Sequence, residues 1–408
     1  MQQKAAQPKG VEGLITDEAL EAARRRIGIE MPQDRPGWEY ADIDPVRNYT
    51  EGIGDLNPLY RDVEYARKTR WGDLIAHPTM MTQMGVSNKK KLTAEERDRG
   101  RGGGLAGVHS FYSGDDVEWF RPILRGDRLT VRGGLAKVEP KGSRMTGTRA
   151  VHMTTDRVYH NQKGELVGVR HTLQIRVERH NAREAGKYKD IQTQTYTPED
   201  MARIDADYAK EEIRGANPRY WEDVVVGQEL TPVVKGPWTA TAYIVFCEGT
   251  GHRNEFHRAH SSAYQYRKRH PNAFPLTKYG FPDVIMRVHW EHEMARETGL
   301  PAYYDYGGER IAWLSHAATD WMGDDAFLRR LRVEFRRFCF YGDTMWIKGR
   351  VANKYVEEGE HFVELDLWAE NQRGELTAPG KAWVLLPSRT AGPVKIPTRI
   401  PNDISPYA

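Results

Sequence analysis

Cysteine is nearly missing from this 408-residue chain: only Cys247 and Cys339 occur. That excludes a disulfide scaffold and a Cys-rich zinc module. Both lie in apolar contexts and read as buried packing residues. No run of apolar residues is long enough to span a bilayer, so a membrane protein is not expected. The N-terminal stretch lacks the apolar core of a signal peptide, and the expected compartment is the reducing cytoplasm. A charge excess is missing too. Lys and Arg total 60 against 57 Asp and Glu, a net charge of +3. A general nucleic-acid binder would carry a basic excess or stripe, and none is present. No Gly-rich loop follows a strand and opens a helix, so no redox cofactor is implied. What the chain does have is aromatic side chains, with 20 Tyr, 11 Trp and 11 Phe, many of them between 238 and 346. The remaining composition is that of a soluble globular protein of two to four domains.

Internal similarity organises the chain. The segment 117–127 repeats at 333–343 with a constant offset of 216. The offset carries Val117 onto Val333, Glu118 onto Glu334, Gly126 onto Gly342 and Asp127 onto Asp343. Each segment alternates apolar and polar residues around a Gly-Asp turn and reads as strand, turn, strand. Tyr60, Asp62, Glu64 and Ala66 echo His289, Glu291, Glu293 and Ala295 at offset 229. Glu51, Gly52 and Gly54 echo Glu248, Gly249 and Gly251 at offset 197. The offset grows by 32 between the last two echoes, which places an insertion in the second copy at 252–288.

The chain therefore reads as a tandem duplication. Its parts are an extension 1–35, a first repeat 36–178, a linker 179–218, a second repeat 219–387 and a tail 388–408. Each repeat runs from an opening strand through a short helix and a polar loop to an apolar helix, then several long strands. The apolar helix is expected at Pro78–Lys90 in copy one and Glu309–Met322 in copy two. The strands are expected at Arg128–Lys137, Arg149–Tyr159 and Leu166–Val177, with counterparts at Thr344–Val351, His361–Glu370 and Glu375–Leu385. A helix is expected in the linker region near 198–213. A long helix followed by antiparallel strands points to an α+β fold, a sheet wrapped around a helix.

The motifs resemble a known family. Gly54, Asp55, Asn57, Pro58, Tyr60 and Asp62 are followed by Ala76, His77 and Pro78. This is similar to the hallmark G-D-x-N-P-x-H-x-D and A-H-G of MaoC-like double-hotdog dehydratases, relatives of type 2 (R-specific) enoyl-CoA hydratases. His289, Glu291, Tyr306, Gly307 and Gly308 resemble the second half of the same family. The resemblance covers roughly 36–178 and 219–387 and implies two hotdog folds forming a pseudo-dimer in one chain. It also implies a hydro-lyase that adds water to, or removes it from, a 2-enoyl/3-hydroxyacyl thioester. The acyl-CoA substrate would be the partner, with no separate cofactor and no metal. A homodimer or higher homo-oligomer is expected. In the family, Asp and His handle the water and the substrate proton, and a backbone N–H at a helix start holds the thioester oxygen. The chemistry suits those groups: a positioned N–H stabilises the developing oxyanion, and a His–carboxylate pair moves protons near neutral pH.

Copy one departs from the pattern. Tyr60 stands where the family has His, and a phenol is a weak base at neutral pH. Pro78 stands where the family has the oxyanion Gly and has no N–H. Copy one is therefore expected to cradle the acyl tail, with Asp55, Asn57 and Tyr60 as contacts. In copy two the expected catalytic groups are His289 and Gly307, with Gly308, Glu291 and Tyr306 beside the substrate. The family spacing gives Val284 where the catalytic Asp belongs, so Asp283 is the candidate carboxylate. Gly251, His252, Asn254 and His257 also form a hallmark-like loop, and the choice between His289 and His257 stays open.

The inserted segment is rich in His, Arg and aromatic residues. His252, His257 and His260 have a spacing that a zinc site could use, but no HExxH or Cys accompanies them. The preferred reading is a lid in which Arg267 and His257 meet CoA phosphates or an acyl carboxylate. The run Lys89–Lys91 with Arg97, Arg99 and Arg101 reads as a solvated loop. Aromatic richness suggests a bulky, ring-bearing or dicarboxylic acyl group. The rival readings are a hotdog acyl-CoA thioesterase and a non-catalytic acyl-CoA-binding subunit.

Overall fold

The computed structural model describes residues 13–31, 36–87, 91–101, 105, 108–142, 149–178, 188, 191–251 and 258–408. Among the described residues there are ten strands: β1 (Val86–Ser87), β2 (His109–Trp119), β3 (Thr130–Gly142), β4 (Arg149–His160), β5 (Leu166–Val177), β6 (Val233–Lys235), β7 (Phe327–Glu334), β8 (Met345–Glu357), β9 (Glu360–Asn371) and β10 (Leu376–Leu385). They join in one sheet, in the order β1-β3-β4-β5-β2-β7-β10-β9-β8-β6. The strands of copy one fill one half and those of copy two the other. The fold is two hotdog units joined edge to edge.

The seam is β2 against β7, antiparallel, from Gly114 opposite Glu334 to Glu118 opposite Arg330. Its centre pairs Asp116 with Arg332, two positions that the 216-residue offset makes equivalent. The two copies thus meet about a local twofold, the self-complementary arrangement of an isologous dimer. Arg330 closes the seam with a two-pronged bond to Asp116, 2.7 and 2.6 Å. The same symmetry governs the short helices Ile43–Ile53 and Ala240–Gly249. They cross at Gly52 and Gly249, where a Cβ on either would meet the partner's backbone at about 3 Å.

The core of copy two is the helix Gly307–Met322. Its residues are buried all round except Gly308, as expected of a helix enclosed by a sheet. Among the described residues, copy one has no such helix. The expected helix Pro78–Lys90 is instead a 3₁₀ turn, Pro78–Gln83, that stops at an extended Met84 and leads through Gly85 (φ +102°) into β1. The physical reason is local. His77 caps the turn through its side chain, and Gly85 takes a left-handed conformation that an α-helix cannot continue. Met80, Met81 and Met84 are fully buried and fill the place of the missing helix. Residues Lys89 and Lys90 lie outside the described ones. The strand-turn-strand reading of 117–127 also needs amending. β2 and β3 follow each other but do not pair, because β2 pairs β5 on one side and β7 on the other.

The linker helix is Pro198–Tyr208, closed at its start by a Thr197–Asp200 capping box. At the chain's end Tyr407 reaches back, its hydroxyl donating to the Leu135 carbonyl at 2.7 Å. Cys247 and Cys339 are buried free thiols. No helix among the described residues is long and apolar enough to cross a membrane.

Candidate active site

The site forms where the central helix of copy two begins. Tyr306 precedes it in an extended conformation, and Gly307 is its first residue. The first N–H groups of a helix have no intrahelical acceptor and carry the positive end of its dipole. Gly307 is needed for close approach: a Cβ there would meet Tyr112 Cδ1 and Phe335 Cε2, both at 2.7 Å. Tyr112 comes from copy one, so both copies wall this helix start. Its hydroxyl is fixed by a 2.6 Å bond to Asp115 and a 3.0 Å bond from Arg170.

His289 ends the 3₁₀ turn Ile285–His289 and is buried. Its ring lies edge-on to Tyr306, centroids 5.6 Å apart, and stacks on Tyr243 at 5.4 Å. Nδ1 sits 2.8 Å from the Tyr304 carbonyl oxygen. A carbonyl only accepts, so the neutral ring carries its hydrogen on Nδ1 and presents Nε2 as the basic nitrogen. The aromatic ring contacts hold that orientation, and such a ring next to a helix N-terminus can exchange a proton with a substrate carbon or water.

Glu309 was not singled out by the sequence. It is buried one turn into the central helix, where Oε1 accepts from the Trp238 indole at 2.9 Å and Oε2 from Tyr306 N–H at 2.8 Å. Burial, helped by Asp305, pushes its carboxyl up to about 8. The folded state therefore holds a proton that the unfolded chain gives up near the ordinary carboxyl value of 4.5. Its stability contribution is full below that value and falls as pH rises to about 8, by at most about 1.4 kcal/mol per pH unit. The melting temperature should drop across that window, and Glu309→Gln should flatten the drop. A slope unchanged in the variant would remove Glu309 from the account.

A second group of polar residues is buried where the hallmark loop of copy one meets the other end of the central helix. His316 Nε2 lies 3.5 Å from Asp55 Oδ1 and 3.1 Å from Asp320 Oδ2. Lys235 Nζ is 2.8 Å from His316 Nδ1. Burial first, then Lys235, holds the His316 imidazole down to about 4, and burial lifts Asp320 to about 7. Asp55 is fully buried, and its Oδ1 accepts from Asn57 N–H at 2.8 Å. Tyr60 is buried too, and with Pro78, Trp71, Ile75 and Asp324 it lines a mostly apolar pocket.

Comparison with known proteins follows from this geometry. Residues 42–170 match the model of the FAS1-like dehydratase domain region. A UPF0336 protein of a Parafrankia strain is 32% identical over 147 residues, covering 34% of this chain and 89% of that protein. An enoyl-CoA hydratase alpha subunit, so named, of Thermomonospora curvata is 26% identical over 150 residues, 35% of this chain and 46% of that protein. The match thus spans about half the length of that relative. A solved MaoC-like dehydratase superposes with a TM-score of 0.58 at 16% identity, covering 89% of this chain and 99% of its own. A MaoC domain dehydratase of Chloroflexus aurantiacus superposes at 0.54 and 12% identity, covering 94% and 100%.

Through its first repeat the chain belongs with the UPF0336 proteins, and as a whole it has the fold of the MaoC-like dehydratases. Against that family's pattern, the residues named from the sequence separate into three groups. His289, Tyr306, Gly307 and Gly308 converge at the start of the central helix. Asp55, Asn57 and Tyr60 lie together in copy one, at the other end of that helix. Asp283 and Glu291 are drawn to neither site. Both flank the buried Arg287, Glu291 at 2.6 Å and Asp283 at 3.5 Å, because an enclosed guanidinium requires carboxylate partners. The side-chain contacts described for Asp283 are to Arg287 and the Val284 N–H. Arg267 is half-buried on the helix His260–Arg269, near the Tyr264 ring. His252 and His257 lie outside the described residues.

Proposed function

We propose that this MaoC-like protein hydrates 2-enoyl-CoA thioesters, or dehydrates the 3-hydroxyacyl counterparts, at the start of the copy-two helix. The observation that carries the reading is the convergence of His289 and the Gly307 N-terminus around Tyr306. In this reading Nε2 of His289 takes up and returns the proton, and the Gly307 N–H holds the thioester oxygen as negative charge develops. Tyr112 supplies the copy-one wall, and the family resemblance supplies the thioester. The relative named as an enoyl-CoA hydratase subunit supports the same chemistry. Loss of the enoyl absorbance of crotonyl-CoA on mixing with the protein tests it. Thiol release would instead indicate a thioesterase, and binding without turnover a non-catalytic subunit.

The insertion serves in this reading as a lid. Tyr266, Phe274 and Val284 form its own small core, and Trp290, packed against that core, stacks on Tyr243 at 5.7 Å. Tyr243 in turn stacks on His289, so the segment is seated beside the site. Tyr264, Tyr279 and Phe281 are left exposed, together with Lys268 and Arg269. Replacing 258–280 by a short Gly-Ser linker should impair long or charged acyl-CoA substrates far more than crotonyl-CoA. Unchanged substrate preference in the shortened enzyme would make the segment a surface loop.

A further inference from the structure

The buried group around His316 holds more lone pairs than its hydrogen bonds use. One ligand atom from each of Asp55, His316 and Asp320 lies within 4.8 Å of the others, all enclosed. Asp55 Oδ2, both Asp320 oxygens and His77 Nε2 have no hydrogen-bond partner. His77 is fully buried, and its Nε2 stands 3.9 Å from Asp55 Oδ2, aimed into the group. Buried carboxylate oxygens without donors are costly, and a bound cation is one way to satisfy them. Ligand atoms about 2.0–2.2 Å from a tetrahedral zinc ion lie roughly 3.3–3.6 Å apart. The His316–Asp55 distance of 3.5 Å falls at that spacing, and the His316–Asp320 distance of 3.1 Å lies just below it.

We propose that Asp55, His316 and Asp320 bind one divalent transition ion, with zinc the best match to an imidazole and two carboxylates. His77 faces the remaining side of the site. Lys235 acts from behind. Its Nζ lies 2.8 Å from His316 Nδ1, 2.8 Å from the Ile53 carbonyl and 3.5 Å from the Gly54 carbonyl. Lys235 thus holds the Nδ1 side of the ring, which leaves Nε2 facing the two carboxylates. The outer contact then fixes the ring as it does for metal-bound histidines generally. Asp55 belongs to copy one, while His316 and Asp320 lie one turn apart on the copy-two helix. The ion therefore clamps the two repeats together, remote from the helix start where His289 lies.

The test uses the full chain. Elemental analysis after purification, and zinc titration after chelator treatment, should give one zinc per chain and a raised melting temperature. Asp55→Asn and Asp320→Asn, which keep side-chain shape, should each weaken zinc binding at least 100-fold. His260→Gln with His270→Gln, both exposed on the insertion, should leave it intact. If the natively melting chain takes up neither zinc nor manganese, no divalent ion occupies the group and the proposal fails. It fails equally if uptake survives both Asp variants or is lost in the His260/His270 variant.

Discussion

His289→Ala is expected to lower kcat for crotonyl-CoA hydration by about 10²–10⁴, the usual contribution of a positioned general acid–base group. The ring makes stacking contacts with Tyr243 and edge contacts with Tyr304 and Tyr306. Its removal also leaves a small void, so a melting measurement must accompany the kinetics. His289→Gln, closer in volume, should lose turnover to a similar degree with less change in melting. Near-normal turnover in both variants, with His257→Ala inactive, would move the proton transfer to the other loop.

Gly307→Val should be nearly as damaging, for a different reason. Its Cβ would enter the 2.7 Å space against Tyr112 and Phe335. Two walls from different repeats would have to separate, at about 1–3 kcal/mol for overpacking. The helix start would shift with them, and loss of one oxyanion donor commonly costs about 10²–10³ in kcat. Gly308→Ala is the control. Its Cβ would meet the Tyr306 ring at 3.2 Å and Phe246 Cζ at an ordinary 3.5 Å, and a ring edge can give by a few tenths of an ångström. Full turnover in Gly307→Val with a lowered melting temperature would leave Gly307 a packing residue and end its oxyanion role.

The duplication was legible because strand alternation and the Gly-Asp turn are local features that survive divergence. Carried one residue further back, the offset of 216 relates Asp116 to Arg332, which the structure pairs at the centre of the sheet. The copy-two helix was legible for the same reason, as its apolar residues recur with helical period. The copy-one helix failed because apolar content alone does not say whether a stretch is long enough to propagate. Pro78, the side-chain cap of His77 and Gly85 confine it to a 3₁₀ turn.

By itself the sequence determined the two repeats, the insertion, the family resemblance and the candidacy of His289 and Gly307, since each rests on residues close together in the chain. Tertiary structure alone decided three other matters. It drew Asp283 and Glu291 to Arg287, where a buried guanidinium needs their charge. It set Tyr112 of one repeat against Gly307 of the other. It also brought Asp55 to His316 and Asp320, more than 250 residues away in the chain. No local pattern encodes those meetings, because they arise only when the twofold seam places the loop of one copy on the helix of the other.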